Sequence, residues 1–170
     1  MKKEKVNMKK EKVIDNFLPR AELIKLQDTF NSSSLDWYYV KDINVNSSKD
    51  SLGVYFVHIA YKEGRASRFM HVFSPILVRL NIKSIMRIKV NLYPRTPKLE
   101  VHAAHVDYNH PHTGAIFYLN TNDGKTILAD GTRIDSIANR VLIFDASTLH
   151  SSTSTTDSKA RFNININYDE

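Results

Sequence analysis

Apolar and polar residues alternate along residues 84–93, with Met86, Ile88, Val90 and Leu92 on one parity and Arg87, Lys89, Asn91 and Tyr93 on the other. A period of two marks a strand with one face buried. The C-terminal segment repeats the design: Phe162, Ile164, Ile166 and Tyr168 alternate with Arg161, Asn163, Asn165 and Asn167. Earlier in the chain the period lengthens. Residues 15–31 read as a helix with Leu23, Leu26 and Phe30 on one face and Pro19 at the first helical position. Residues 67–82 place Phe69, Phe73, Leu77 and Leu80 on a second helical face, which Ser74-Pro75 either kinks or restarts with Ser74 as cap. Residues 37–40 and 54–59 read as strands between these helices. After residue 84 only short strands and turns are predicted. Asp123-Gly124 and Asp130-Gly131 are hairpin-type turn signals around 126–128 and 132–134, residues 141–144 are a buried strand, and the Ser/Thr run 151–156 is the loop into the last strand.

Composition fits one soluble domain, since 170 residues can bury a substantial core and no apolar run approaches membrane-spanning length. The net charge of +6 comes mostly from residues 1–13, where six lysines stand against two glutamates. That segment is a direct repeat, MKKEKV returning at Met8, and reads as a basic flexible tail before a single domain over 14–170. The absence of cysteine excludes a disulfide framework and thiolate metal sites. With no apolar leader at the N-terminus, the expected location is cytoplasmic.

The polar strand faces acquire a purpose from His105, Asp107 and His150. A His-x-Asp pair sets an imidazole and a carboxylate on one side of an extended segment, and His150 supplies a third ligand 45 residues later. Two histidines and a carboxylate on one face of an octahedron leave three positions open, which suits Fe(II) that must still bind a cosubstrate and oxygen. Arg161 follows His150 by 11 residues and opens the last strand, where its planar fork would take a carboxylate through two parallel hydrogen bonds. His102 could join an alternative cluster. His110 and His112 flank Pro111 in the following loop and read as ordinary exposed residues, while His58 and His71 read as packed and hydrogen-bonded.

Asn91-Leu92-Tyr93, His105-Val106-Asp107, residues 116–120, residues 142–144 leading to His150, and Arg161 together resemble the Fe(II)- and 2-oxoglutarate-dependent dioxygenases. Within that superfamily the chain is most similar to the prolyl-4-hydroxylase-like group and its small phage-encoded members; a phage origin would make the cytoplasm that of the host cell. The resemblance implies a mostly β fold with N-terminal helices and a double-stranded β-helix, the jelly-roll barrel of cupins, with apolar strand faces on the helices and polar faces at the barrel mouth. It implies His105, Asp107 and His150 as iron ligands and Arg161 as partner of the distal 2-oxoglutarate carboxylate, with Tyr93, Tyr118, Asn91 and Asn163 around that pocket. Tyr93 and Tyr118 also have a plain core reading. The implied reaction consumes oxygen and 2-oxoglutarate, releases succinate and CO2, and hydroxylates a C–H bond of a peptide, protein or small molecule, with ascorbate as reductant. Halogenating relatives lose the ligand carboxylate, and this chain keeps Asp107.

Two other readings remain open at this stage. A nucleic-acid-modifying dioxygenase would use the same iron site with Arg87, Lys89, the lysine tail and exposed aromatics holding the strand, and Arg65 and Arg68 at the barrel mouth. A cupin-like module would hold a metal and a small acid without oxidising anything, and would need no anchor such as Arg161.

Overall fold

In a computed structural model, which describes residues 11–40 and 54–169, the strands form two antiparallel sheets. The larger contains β1 (Lys12–Ile14), β2 (Tyr38–Val40), β3 (Tyr55–Lys62), β4 (Arg65–Ala66), β5 (Ser84–Pro94), β6 (Thr113–Tyr118), β9 (Arg140–Asp145) and β11 (Ala160–Asp169), in the order β1-β9-β6-β11-β5-β3-β2 with β4 beside β3. The smaller is β10-β7-β8, built from β7 (Lys125–Leu128), β8 (Arg133–Asp135) and β10 (His150–Ser152). This is the expected mostly β jelly-roll architecture with helices ahead of the main run of strands.

The two long alternating segments are neighbours. β5 and β11 pair antiparallel with Arg161 opposite Tyr93, Asn163 opposite Asn91, Asn165 opposite Lys89 and Asn167 opposite Arg87. Because the side-chain period is two, this register puts all eight polar residues on one face and Ile164, Ile166, Ile88 and Val90 on the other. The apolar face joins Ala115 and Phe117 of β6 and packs on Leu26 and Phe30 of helix α1 (Arg20–Asn31) and Ile76 of helix α2 (Ser74–Leu80). A second apolar cluster of Ile116, Tyr118, Leu142, Phe144 and Ile134 fills the space between the sheets at one end.

Several local expectations change. Helix α1 begins at Arg20, with Pro19 just outside it as the N-cap. The second helical stretch is a 3-10 turn, Met70–Phe73, followed at once by α2. Proline there is accommodated in the first turn, where its missing N–H has no intrahelical partner to lose, so Ser74-Pro75 restarts the helix. No side chain caps the start. Asp130-Gly131 does turn β7 into β8, with Gly131 at φ +88°. Asp123-Gly124 does not make a hairpin, because β6 and β7 lie in different sheets. The Asp123 carboxylate instead accepts from the Thr155 hydroxyl and from the backbone N–H and hydroxyl of Thr156. The Ser/Thr run is not all loop either, since Ser151 and Ser152 extend β10.

Residues 1–10 of the expected tail lie outside the described residues, while Lys12 and Val13 pair with Ile143 and Leu142 in β1. No helix among the described residues is long and apolar enough to cross a membrane.

Candidate metal centre and cavity

The backbone brings the three candidate ligands together. His105 and His150 form an isolated antiparallel bridge, each N–H donating to the other's carbonyl at 2.9 Å, and the Asp107 N–H donates to Ala146 O at 3.1 Å. Asp145 shapes the approach to His150 through Ser147 N–H and the Thr148 hydroxyl, which donate to its carboxylate and carbonyl. The ligand atoms of His105, Asp107 and His150 lie within 4.8 Å of one another. His105 Nε2 stands 3.8 Å from one Asp107 oxygen and His150 Nε2 stands 3.9 Å from the other.

These groups fit a divalent metal. His150 Nδ1 lies 2.9 Å from Thr148 O, and a carbonyl can only accept, so Nδ1 carries the proton and the Nε2 lone pair faces Asp107. That Nε2 is buried and has no hydrogen-bond partner, as expected of an atom awaiting an ion. His105 repeats the arrangement more loosely, with Nδ1 3.4 Å from Ala103 O and half its side chain exposed. Burial lowers the His150 pKa. Burial works against ionising Asp107, but Arg87, His150 and Asn165 outweigh it and hold the carboxyl at about 2.

Asp107 is held by a chain of side chains. Arg87 Nη2 donates to Oδ1 at 2.7 Å and Asn165 Nδ2 to Oδ2 at 3.1 Å. Asn167 Nδ2 donates to Asn165 Oδ1 at 2.9 Å, and His112 Nε2 lies 3.1 Å from Asn167 Oδ1. A carboxylate accepts only, so Asp107 fixes the orientation of both amides in turn; His112 Nδ1 lies 2.8 Å from His110 O, so both ring nitrogens of His112 face acceptors. His112 is therefore not an ordinary exposed residue, being only 8% exposed. His110 is exposed. His58 is packed as expected, between Asp36 O and Ser67 Oγ, whereas His71 is exposed, with Nδ1 3.0 Å from the Arg68 carbonyl.

The triad opens onto a cavity of about 270 Å³ between the sheets, lined on one wall by Tyr55, Arg87, Lys89, Asn91 and Tyr93 and on the other by Thr126, His150, Ser151 and Ser152. Asn163 and Asn165 complete it, and Asn91 Nδ2 donates to Asn163 Oδ1 at 2.8 Å. His102 also lines the cavity but belongs to no metal cluster; its Nδ1 bonds Ser152 Oγ at 2.8 Å and its ring stacks on Tyr93. Burial, then the charge of Arg161, lowers its pKa to about 4.

Arg161 is fully buried and stands behind this lining. Its fork donates to Ser136 Oγ at 2.8 Å, Thr153 O at 3.2 Å and Thr126 Oγ1 at 3.2 Å, and lies between the rings of Tyr93 and Tyr118. Among the described residues these bonds use three of its five N–H donors. Tyr118 is likewise fully buried, and its hydroxyl donates to Thr126 Oγ1. Thr126 and Tyr93 thus separate Arg161 from the open cavity. Gly124 is required beside it, since an added Cβ would fall 2.5 Å from Arg161 Cδ.

Arg87 and Lys89 line the cavity beside the candidate metal ligands. Their parity with Asn91 and Tyr93 already carried that signal. Thr126, Ser136 and Ser152 had no such signal, because they belong to short segments whose position depends on the second sheet. Arg65 and Arg68 are absent from the lining, and Arg68 donates to Ser34 O and pairs with Asp36.

No family model matches the sequence, and no curated protein matches it. Solved structures do match in fold. An oxidoreductase of the 2OG-Fe(II) oxygenase family from Burkholderia pseudomallei superposes with a TM-score of 0.71 at 10% identity, over 94% of this chain and 84% of that one. The viral collagen prolyl hydroxylase of Paramecium Bursaria Chlorella virus-1, in its 2OG complex, gives 0.62 at 13% identity over 95% and 97%. A prolyl hydroxylase from Trichoplax adhaerens, in complex with a hypoxia inducible factor peptide, gives 0.64 at 14% identity over 94% and 83%. The chain has the fold of these oxygenases.

Proposed function

We propose that this protein is an Fe(II)- and 2-oxoglutarate-dependent oxygenase that hydroxylates a C–H bond of a peptide, protein or small-molecule substrate. The observation that carries the reading is the buried, unpartnered Nε2 of His150, aimed with His105 and Asp107 at one point beside a polar cavity. When bound, iron with 2-oxoglutarate and oxygen supplies the oxidising power, and the oxo acid leaves as succinate and CO2, with ascorbate as an auxiliary reductant.

The chain's own residues bind and orient. His105, Asp107 and His150 would hold the metal, three protein ligands being few enough for it to bind a cosubstrate as well. Arg161 anchors the distal carboxylate of 2-oxoglutarate from the deep end of the cavity; its charge is pre-oriented by Ser136, Thr153 and Thr126, and Tyr93 and Tyr118 confine it. Direct contact with it requires the Thr126 and Tyr93 side chains, which stand between Arg161 and the cavity, to move aside. Asn91 and Asn163 line the same cavity, where their amide N–H groups would meet the acid along its length. The fold's likeness to peptide-modifying hydroxylases supports a peptide among the substrates without selecting one.

The test is succinate formation from 2-oxoglutarate by purified protein with Fe(II), ascorbate and oxygen, run beside Asp107→Ala. Turnover above the variant's background is expected. Equal background in both proteins would refute the assignment of Asp107.

A further inference from the structure

We propose that Lys89 and Arg87 form an anion-binding wall that receives a carboxylate or phosphate group of the molecule to be oxidised. The proposal rests on the oxygenase reading and goes beyond it by naming the substrate class.

Both side chains leave the same face of β5 and line the cavity beside the metal centre. Arg87 gives one nitrogen to Asp107, while its Nε is buried without a partner. The Lys89 ammonium makes no hydrogen bond or ion pair among the described residues; its close neighbour is the face of Tyr55, 5.9 Å from the ring centroid. Burial first, and then the charge of Arg87, lowers its pKa to about 8. A half-buried cation set beside another cation is costly, and such an arrangement persists where an anion completes it.

The charges of the cavity show which anion this is. Among the described residues Asp107 is the one acid in the lining, and it is matched by Arg87. A divalent metal and the dianion of 2-oxoglutarate cancel each other, and with Arg161 counted beside Arg87 and Lys89 against Asp107 the site keeps a net +2, so positive charge at Lys89 stays unmatched after the cosubstrate has bound. Position separates the two anions as well. Lys89 faces Asn165, four residues along the ladder from the Tyr93–Arg161 pair, a distance of roughly 13 Å. A 2-oxoglutarate whose distal carboxylate lies at Arg161 does not end at Lys89. The remaining cation sits on the wall shared with Tyr55, whose ring offers an apolar surface next to the acid group.

The experiment uses the full chain loaded with Mn(II) and saturated with 2-oxoglutarate. Inorganic phosphate and 13C-labelled acetate serve as probes, and their nuclear relaxation by Mn(II) is read in wild type, Lys89→Met and Lys89→Arg, with 2-oxoglutarate affinity measured by calorimetry in each. We expect saturable relaxation of at least one probe in wild type, association weakened about tenfold by Lys89→Met and restored by Lys89→Arg, and 2-oxoglutarate affinity unchanged within about twofold. The stronger probe separates a phosphorylated from a carboxylic substrate. Equal relaxation in wild type and Lys89→Met overturns the proposal, because the ammonium then reaches water and takes no anion. Weakened 2-oxoglutarate binding with unchanged probe relaxation also overturns it and makes Lys89 a cosubstrate anchor. Failure of wild type to bind Mn(II) or 2-oxoglutarate removes the oxygenase reading itself, an outcome distinct from either.

Discussion

Replacing Lys89 by methionine should stabilise the ligand-free protein. Methionine keeps the length and apolar stem of lysine and removes an ammonium that makes no hydrogen bond or ion pair among the described residues. The group titrates at about 8 in the fold against 10.5 in the unfolded chain. A lowered pKa on a base means that the folded state binds the proton less tightly, so the charge opposes folding at any pH below 8. That penalty fades as pH rises through the window from 8 to 10.5, where only the unfolded chain is still protonated. Two and a half pKa units correspond to about 3 kcal/mol near pH 7, falling to about 1 kcal/mol at pH 10. In a protein of this size about 3 kcal/mol raises Tm by roughly 6 to 12 °C. Urea denaturation of wild type and Lys89→Met at pH 7 and pH 10, with metal removed by chelation, measures the difference at both ends. A variant no more stable than wild type at pH 7, or a gap that does not narrow at pH 10, would refute the reasoning.

Asn165→Leu should weaken Mn(II) binding about 10- to 100-fold by removing the amide that holds Asp107 Oδ2, and Asn167→Leu should do so less, since it disturbs only the support of Asn165; calorimetry on both variants checks the order. Gly124→Ala should displace the Arg161 fork, weakening 2-oxoglutarate binding while leaving Mn(II) affinity near wild type; loss of both together would mean that the substitution unfolds the site. Arg161→Ala should weaken 2-oxoglutarate binding by roughly 2 to 5 kcal/mol, measured on the Mn(II)-loaded protein, and unchanged binding would place the anchor elsewhere.

The long strands were legible in the sequence because a residue's parity decides its face. Arg161, Asn163, Asn91 and Tyr93 could be placed together before their strands were known to be partners, and the register put them in facing pairs. The triad was legible by residue type, and the His105–His150 bridge supplies the geometry that the spacing only permitted. Features held by the second sheet were not legible. β10 is three residues long within a Ser/Thr run, so nothing in its local pattern distinguishes strand from loop. Asp123-Gly124 carries a hairpin dipeptide, yet its chemistry is spent on Thr155 and Thr156 across the molecule. His112 looked like a loop residue because its partner, Asn167, is 55 positions away.

The central claim is that His105, Asp107 and His150 hold a metal with open positions where a 2-oxo acid chelates. Visible absorption of the anaerobic protein with Fe(II) and 2-oxoglutarate tests it most directly, since a chelated 2-oxo acid on ferrous iron gives a charge-transfer band that neither component gives alone. The band is expected in wild type, requiring both additions, and absent from His150→Ala. Its absence from wild type, or equal intensity in the variant, would contradict the account.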